Sequence, residues 1–310
     1  MEIIIISSAI FISAVLSIIF QREFIKRNIL DKINSRSSHQ SLATRSGGSS
    51  IFTSVFLISI FFYLNNNEIY DFSLLVPIAI MLCIGLYDDI YKLDFKLKFI
   101  FQIIVAKIII DNGLIIDNLH GIFGVFELSR VLGQLFTIFI IVAIINSINF
   151  IDGIDGLAIS VITLFLLSFE FFSSTSSDMF FLTIIILGSL VPLYFFNFRR
   201  KNKVFLGDSG SLLLGAIVSI YVLKILSQDY SIKPEFDLNK VIFVVSILSY
   251  PIFDIIRIFF LRLYKGKSPF LADKQHIHHL ILGKTKKHYL TTSLIITSSF
   301  IFTILIQIIF

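Results

Sequence analysis

Residues 131–173 read VLGQLFTIFIIVAIINSINFIDGIDGLAISVITLFLLSFEFFS, two apolar runs separated by a polar cluster at 146–156. A bilayer span takes about 20 apolar residues, and somewhat fewer suffice when the ends of the helix reach into the headgroup region. The intervening cluster carries asparagine and aspartate, which are costly inside a hydrocarbon layer. The stretch therefore predicts two membrane-spanning helices joined by a polar segment at one membrane face.

The same alternation continues along the whole chain. Its 310 residues are 56% hydrophobic, with 35 phenylalanines and only 15% charged residues, so a soluble domain would have an apolar, insoluble exterior. We therefore predict an all-α integral membrane protein that forms one polytopic domain over residues 1–310. Ten spans are predicted, at 2–20, 49–64, 73–87, 97–111, 131–146, 156–173, 178–196, 209–227, 241–262 and 290–310.

The distribution of lysine and arginine predicts the orientation of these spans. Alternate segments between them hold 20 of the 26 basic residues, namely 21–48, 88–98, 146–156, 197–208 and 262–290. The other four segments hold 3. Because basic residues accumulate on the cytoplasmic side, both termini are predicted outside, and the polar clusters are predicted to share the cytoplasmic face.

Two adjacent acids, Asp88 and Asp89, end the third predicted span. They repel each other unless a cation, a proton or a substrate group compensates. One is interpreted as the group that orients or deprotonates a phosphate nucleophile and the other as part of a metal site, and a solvated loop start is the alternative. Lys92, Lys96 and Lys98 follow, either as phosphate clamps or only as orientation signals.

Polar side chains recur at every third position from Asn146 through Asn149 and Asp152 to Asp155. If the stretch is helical, these four residues share one face. A polar stripe without a neighbouring cation is suited to attract one. Simple solvation of a loop is the alternative interpretation, although a plain loop does not need this spacing.

The eighth predicted span opens with Phe205-Leu206-Gly207-Asp208-Ser209. Asp208 or Ser209 can cap that helix, and capping is compatible with metal binding. Mg²⁺ is typically held by one or two carboxylates together with phosphate oxygens, which suits Asp208. Phe205 can stack on a base, or it can face lipid or the core like many other phenylalanines of this chain.

The last cytoplasmic segment carries His276, His278 and His279. Three histidines within four positions indicate either a transition-metal site or a phosphate-binding cluster. The single cysteine of the chain, Cys83, lies within a predicted span and far away in sequence. Contacts from the histidines to phosphate or sugar are therefore favoured over a zinc site.

Four motifs together resemble those of a known family. They are Asp88-Asp89 with Lys96 and Gln102, the run Asn-x-x-Asn-x-x-Asp-Gly-x-Asp-Gly-Leu at 146–157, Lys203-Val204-Phe205-Leu206-Gly207-Asp208-x-Gly-Ser, and His276-Ile277-His278-His279. In this order and spacing the chain resembles the polyprenyl-phosphate N-acetylhexosamine-1-phosphate transferases of glycosyltransferase family 4. That family includes initiating enzymes of O-antigen, enterobacterial common antigen and teichoic acid synthesis, and it is related to the phospho-MurNAc-pentapeptide translocase.

The resemblance implies a reaction and a location. A UDP-N-acetylhexosamine, or a deoxy derivative, would give its sugar 1-phosphate to undecaprenyl phosphate with release of UMP. The reaction would need Mg²⁺, with Mn²⁺ as a substitute, at the cytoplasmic face of a multi-pass protein in the bacterial inner membrane. No nucleic-acid partner is expected, and a homodimer is left open.

The resemblance also implies roles for individual residues. The catalytic residues would be Asp88, Asp89 and Asp152, and the metal ligand would be Asp208. The substrate-binding residues would be Lys96, Asn149, Asp155, Asn197, Phe205, His276, His278 and His279. Among these, Phe205 would stack on uracil and the histidines would hold phosphate or sugar.

Other interpretations remain open at this point. Arg36-Ser37-Ser38-His39 resembles O-antigen initiators that act on deoxy sugars, but Ile33 and Lys274 stand where the family usually has proline and arginine. The donor sugar, the pathway and the choice between a direct and a covalent mechanism are therefore not predicted. The alternatives are a phospho-MurNAc-pentapeptide transferase, a metal-dependent membrane hydrolase of UDP-sugars and, less favoured, a transporter, whose ionisable residues usually lie near the membrane midplane.

Overall fold

The computed structural model describes residues 1–31, 43–174, 177–227, 230–236, 239–266 and 275–309. Those residues form a helical bundle with one short pair of strands. The helices are α1 (Glu2–Lys26), α2 (Gly47–Leu64), α3 (Leu75–Tyr91), α4 (Phe95–Asp111), α5 (Arg130–Ile151), α6 (Leu157–Phe172), α7 (Phe180–Asn197), α8 (Gly207–Leu226), α9 (Lys240–Ile247), α10 (Ser249–Tyr264), α11 (Ile277–Thr285) and α12 (His288–Ile309). The strands are β1 (Ala43–Thr44) and β2 (Lys203–Val204).

The prediction of a multi-pass helical membrane protein is confirmed. Among the described residues, 7 helices are long and apolar enough to cross a membrane, and the pair α9 and α10, bent by 81°, raises the number to 8 if it counts as one span. Each of the ten predicted spans corresponds to a helix or to this bent pair. However, α4 and α6 have only 17 and 16 residues, and α4 also carries three lysines. Ten spans are therefore more than helix length and composition alone support.

Helix α8 lies at the centre of the bundle and is buried along almost its entire length. Two glycines let neighbouring helices approach the backbone of its first turn. A Cβ atom on Gly85 of α3 would lie 2.4 Å from the carbonyl oxygen of Asp208, and one on Gly48 of α2 would lie 2.3 Å from the nitrogen of Gly210. The start of α8 is therefore held between the N-terminal end of α2 and the C-terminal end of α3.

The segments that lead into α2 and α8 are joined by backbone hydrogen bonds. Strands β1 and β2 pair in parallel, with Ala43 opposite Lys203 and Thr44 opposite Val204. Beyond the strands, the N–H of Gly47 donates to the carbonyl of Phe205 at 3.0 Å. The N-termini of α2 and α8 consequently lie side by side.

A small hairpin covers the opposite end of the bundle. In it the N–H of Leu119 donates to the carbonyl of Phe126 at 2.8 Å, and Asn118 pairs with Glu127. The ring Nε2 of His120 lies 3.0 Å from the carbonyl oxygen of Leu226, the last residue of α8. The hairpin is thus separated by the length of α8 from the polar clusters.

Candidate active site

Two carboxylates from different helices meet at one lysine. Asp88 lies in the last turn of α3, Asp208 in the first turn of α8, and Lys98 in the first turns of α4. The Lys98 Nζ lies 2.7 Å from Asp88 Oδ2 and 2.7 Å from Asp208 Oδ2. The structure therefore brings together two acids that are far apart in sequence around a single positive charge.

The second acid of the pair, Asp89, serves the helix rather than the lysine. Its Oδ1 accepts the backbone N–H of Asp208 at 3.0 Å, and its Oδ2 accepts the backbone N–H of Ser209 at 3.0 Å. The first N–H groups of a helix lack partners within the helix, and a carboxylate there also complements the helix dipole. The alternative in which Asp208 or Ser209 caps α8 is therefore not what the structure has, because the cap comes from Asp89 on α3.

Gly207 makes this arrangement sterically feasible. Its φ angle is +73°, a conformation that side-chain-bearing residues rarely adopt, and a Cβ atom would lie 2.7 Å from Asp89 Oδ2. The glycine before Asp208 is thus required both by its own backbone and by the cap.

Arg45 is a site residue that the sequence did not single out. One guanidinium nitrogen lies 2.6 Å from Asp31 Oδ1, and another lies 3.3 Å from Asp89 Oδ1. Burial alone lowers the pKa of Arg45, but the charges of Asp31, Asp89 and Asp208 outweigh burial and raise it. Arg45 is thus a fixed positive charge beside the carboxylates. Its only sequence signal is its place just before Gly47 and Gly48.

The polar stripe at 146–156 is only partly helical. Helix α5 ends at Ile151, with Asp152 as its C-terminal cap residue, and Gly156 has a φ of +73°. Asn149 therefore belongs to the helix, whereas Asp155 lies beyond it. The condition for one shared helical face is not met, because the chain turns at the glycines.

Asp152 adds a fourth carboxyl group to the cluster. Burial, together with the negative charges of Asp208 and Asp89, raises its pKa well above the usual range. A carboxyl group in this position favours either a proton or a nearby cation. Its assigned catalytic role remains a prediction, and its position among the other acids agrees with that role.

Asn149 ties α5 to the start of α8. Its Nδ2 donates to the Ser211 hydroxyl oxygen at 2.7 Å, one turn beyond Asp208. One turn earlier on α5, Asn146 and Gln102 of α4 exchange hydrogen bonds of 2.8 and 3.4 Å. These amides hold α4, α5 and α8 together directly beside the carboxylates.

Asp155 contacts Lys203 and His288 in the structure, and its substrate-binding role remains a prediction. Its carboxylate pairs with Lys203, and its Oδ2 lies 3.2 Å from the ring Nδ1 of His288, the first residue of α12. Burial raises the pKa of Asp155, but the hydrogen bonds to His288 and Lys203 outweigh burial and lower it. Its carbonyl also accepts the Thr292 hydroxyl at 2.9 Å.

Asn197 is likewise occupied by the backbone. Its Oδ1 accepts the N–H of Gly156 at 2.6 Å, its Nδ2 donates to the carbonyl of Val204 at 3.1 Å, and the residue is only 4% exposed. In the structure Asn197 links the loop after α5 to strand β2, and a contact to the nucleotide remains a prediction.

Two further predicted site residues, Phe205 and Lys96, differ in how far they are exposed. Phe205 is half-buried in the segment before α8, with its ring centroid 5.9 Å from the Lys203 Nζ. Lys96 is exposed, and its backbone N–H donates to the Asp94 carboxylate at 3.2 Å. Of the lysines proposed as phosphate clamps, Lys98 is thus the one that reaches the carboxylates.

The histidines pack against the loop that carries Asp152. A Cβ atom on Gly153 would lie 2.5 Å from the His278 Nε2 and 3.3 Å from the His279 Cε1. The rings of His278 and His279 are 4.2 Å apart between centroids. The histidine cluster at 276–279 therefore packs against the polar cluster at 146–156, as the prediction of a shared membrane face requires.

Two residues of α10 that the sequence analysis missed hold the histidines. The Asp254 Oδ2 lies 2.6 Å from the His276 Nδ1, and the Tyr250 hydroxyl lies 2.9 Å from the His278 Nδ1. The sequence did contain a signal for Asp254, because an acidic residue within a predicted span is a functional-site candidate by default.

Comparison with known proteins shows which family this chain belongs to. A family model described as "Glycosyl transferase family 4" matches residues 71–226, which include Asp88, Asp89, Lys98, Asp152 and Asp208. The chain belongs to this family. The undecaprenyl-phosphate alpha-N-acetylglucosaminyl 1-phosphate transferase of Pasteurella multocida (strain Pm70) is 34% identical over 290 residues, which cover 88% of this chain and 76% of that protein.

Other relatives carry closely related names. The probable undecaprenyl-phosphate N-acetylglucosaminyl 1-phosphate transferase of Bacillus subtilis (strain 168) is 32% identical over 292 residues, 92% of this chain and 78% of that protein. The undecaprenyl-phosphate alpha-N-acetylglucosaminyl 1-phosphate transferase of Escherichia coli (strain K12) is 30% identical over 288 residues, 88% of this chain and 75% of that protein.

Three predicted features of this family member lie outside the described residues. The segment Arg36-Ser37-Ser38-His39 and the departure at Ile33 fall within 32–42, and Lys274 falls within 267–274. Their bearing on the choice of sugar remains a prediction.

Proposed function

We propose that this protein transfers an N-acetylhexosamine 1-phosphate, or a deoxy derivative, from a UDP-sugar to undecaprenyl phosphate and releases UMP. The relatives carry names of such transferases. The structural observation that carries the proposal is the convergence of Asp88 and Asp208 on Lys98, with Asp152 and Arg45 beside them.

Phosphoryl transfer needs positioning and charge neutralisation more than covalent chemistry from the protein. In the reaction the bond between the bridging oxygen and the sugar-bearing phosphorus of the UDP-sugar breaks, and UMP leaves with that oxygen. The new bond joins the sugar phosphate to the phosphate of the lipid. Lys98 and Arg45 supply positive charge for these phosphates, and the acids supply sites for a proton and a cation.

The two adjacent acids have different roles in this proposal. Asp89 is committed to the N-terminus of α8 through two backbone N–H groups. Asp88 faces Lys98 and is therefore the acid that orients or deprotonates the lipid phosphate. Asp89 acts by holding Asp208 in place.

The donor set fits Mg²⁺. Among the described residues no three histidine, cysteine or acidic side chains form a metal-holding group, but Mg²⁺ commonly takes only one or two protein carboxylates together with substrate phosphates. Asp208, whose Oδ2 lies 2.7 Å from the Lys98 Nζ, is the carboxylate that would hold the ion. When bound, the ion would neutralise the diphosphate and the charge that develops on the leaving UMP.

The architecture we propose has ten spans, both termini outside and the site at the cytoplasmic face of the inner membrane. The concentration of basic residues between alternate spans supports it, because 20 of the 26 lie on the site side. Helices α4 and α6 then complete the count, with the lysines of α4 reaching the headgroup region.

The product decides whether the proposal holds. Purified protein is incubated with UDP-N-acetylglucosamine, undecaprenyl phosphate and Mg²⁺, and the lipid fraction is analysed by mass spectrometry. A lipid heavier by one N-acetylhexosamine phosphate is expected. Free N-acetylglucosamine 1-phosphate with unchanged lipid would instead indicate a hydrolase. The same assay repeated with deoxy and other N-acetyl UDP-sugars identifies the donor sugar.

A further inference from the structure

Helix α10 carries two buried polar side chains one turn apart, Tyr250 and Asp254, which are 8% and 1% exposed. Residues four apart lie on the same face of a helix. That face meets the segment that carries His276 and His278, which are 5% and 0% exposed. Asp254 contacts the Nδ1 of His276, and Tyr250 contacts the Nδ1 of His278.

Asp254 determines where His276 carries its hydrogen. The Oδ2 of Asp254 lies 2.6 Å from the His276 Nδ1, and its Oδ1 accepts the N–H of Ile277 at 2.8 Å. The guanidinium of Arg257, 3.6 Å away, favours the ionised carboxylate. An ionised carboxylate only accepts hydrogen bonds, so the Nδ1 of His276 must be the donor.

Tyr250 determines the tautomer of His278 in the opposite sense. Burial and the neighbouring His279 and His276 lower the pKa of His278 to about 3, so its ring is neutral near pH 7. A phenol is a better hydrogen-bond donor than a neutral imidazole, so the Tyr250 hydroxyl donates to Nδ1 across 2.9 Å. A neutral ring that accepts at Nδ1 carries its hydrogen at Nε2.

The Nε2 of His278 has no hydrogen-bond partner among the described residues, although it is buried. It lies against Gly153, where any side chain would collide with it. Gly153 follows Asp152 directly, so this unpaired donor borders the carboxylate cluster. Buried donors are rarely left unpaired without a functional reason.

We propose that Tyr250 and Asp254 are positioning residues that fix the tautomers of His278 and His276, so that His278 offers an Nε2–H donor to an acceptor oxygen of the substrate. The acceptor class is a phosphate or sugar oxygen of the UDP-sugar, and this part rests on the function proposed above. The tautomers themselves are a property of the protein alone.

The first test therefore needs no substrate. Full-length protein with ¹⁵N-labelled histidine, reconstituted in lipid, reports by NMR which ring nitrogens carry hydrogen, and a His278→Gln variant assigns the signal. His278 is expected to show a bare Nδ1 and a protonated Nε2. Tyr250→Phe should mix the two tautomers, whereas Tyr230→Phe, which removes a buried hydroxyl bonded to the Phe169 carbonyl at 2.8 Å, should leave the signal unchanged.

The second test measures turnover. Tyr250→Phe is expected to lower kcat about tenfold, the factor for one lost hydrogen bond, with little change in KM for the lipid. Tyr230→Phe should stay within a factor of about two, as remote substitutions do. Equal thermal unfolding temperatures for the two variants exclude a merely structural origin of the difference.

Asp254→Asn extends the test to His276, because an amide can donate as well as accept and no longer enforces one tautomer. The matched control is Glu170→Gln, which neutralises a carboxylate that accepts the Thr183 hydroxyl in a different part of the bundle. A wild-type His278 with hydrogen on Nδ1, or tautomers unchanged by Tyr250→Phe and Asp254→Asn, would overturn the proposal. Absence of transferase activity with the expected tautomers would instead overturn only the proposed function.

Discussion

The backbone N–H of Asp208 donates to the carboxylate of Asp89 at 3.0 Å. Through this bond the acid at the end of α3 fixes the first turn of α8, and with it the Asp208 side chain that faces Lys98. Two neighbouring acids, Asp88 and Asp89, are thereby divided between chemistry and support. The distinction leads to opposite expectations for their amide variants.

Asp89→Asn is expected to destabilise the protein by about 1–3 kcal/mol, because one of its two helix N–H groups then faces an amide NH₂. Asp88→Asn should alter stability less, since Asp88 accepts only one backbone N–H, that of Leu93, and its replacement relieves crowding among acids. It should nevertheless remove most activity. Thermal unfolding in detergent and initial rates of UMP release measure the two effects. Equal losses of stability in both variants would contradict the division of roles.

Lys98→Gln is expected to lower the rate about 100-fold, because it removes the positive charge between Asp88 and Asp208. Lys96→Gln is the matched control, since that lysine is exposed and its removal should change the rate no more than about threefold. Steady-state rates at saturating donor and lipid make the comparison. A larger loss in Lys96→Gln would restore the original prediction for that residue.

Asp208→Asn should abolish turnover while leaving the protein folded, because the principal cation ligand is lost. Binding of Mn²⁺ in the presence of the UDP-sugar, followed by electron paramagnetic resonance, should weaken in parallel. The control is Asp178→Asn, an exposed acid that pairs with Lys224 at 2.5 Å near the far end of α8. Near-normal activity of Asp208→Asn at saturating Mg²⁺ would refute its role as a ligand.

Gly153→Ala is expected to cost at least about tenfold in rate, because its methyl group would lie 2.5 Å from the His278 Nε2 and would displace the ring or the loop. Gly283→Ala serves as the control. That glycine lies on α11 with nothing within 4 Å of its added Cβ, so its replacement should leave the rate unchanged and slightly favour the helix. Similar rates for both variants would separate His278 from the reaction.

Asp155 gives an expectation for pH. Its pKa is held below the ordinary 3.8, so its ion pair with Lys203 and its contact with His288 stabilise the folded state above that pH, and the contribution disappears as pH falls through the lowered value. At pH 7, Asp155→Asn should be less stable by about 1–3 kcal/mol, the cost of leaving buried hydrogen-bond partners unsatisfied. Unfolding measured from pH 7 downward should show the stability difference between the wild-type protein and Asp155→Asn disappearing below about pH 4. A difference that stays constant would show that the Lys203 and His288 contacts do not carry it.

The helices were largely predictable because each predicted apolar run has a helix as its counterpart. Their number across the membrane was not, since α4 and α6 are short and only the packed bundle shows where they lie. The end of α5 at Ile151 was not predictable either. Gly153 and Gly156 are visible in the sequence, but their presence is compatible both with a turn and with a helix that continues through the polar stripe.

The residue types of the site were predictable, but their partners were not. Asp88 and Asp208 meet only because α3 crosses the backbone of α8 at Gly85, and no one-dimensional pattern contains that crossing. The same holds for Asp89 as a cap and for Asn197 as a link between backbone segments. Tyr250 and Asp254 lie in an apolar run, where their connection to the histidines becomes visible only in three dimensions.

Lipid-dependent release of UMP is the decisive measurement for transfer to a lipid acceptor. Purified protein in detergent with Mg²⁺ and UDP-N-acetylglucosamine, or a panel of UDP-N-acetyl sugars, is assayed with and without undecaprenyl phosphate. We expect UMP from at least one donor only when the lipid is present, and none from Asp208→Asn. Release of UMP at the same rate without the lipid would contradict transfer to the lipid.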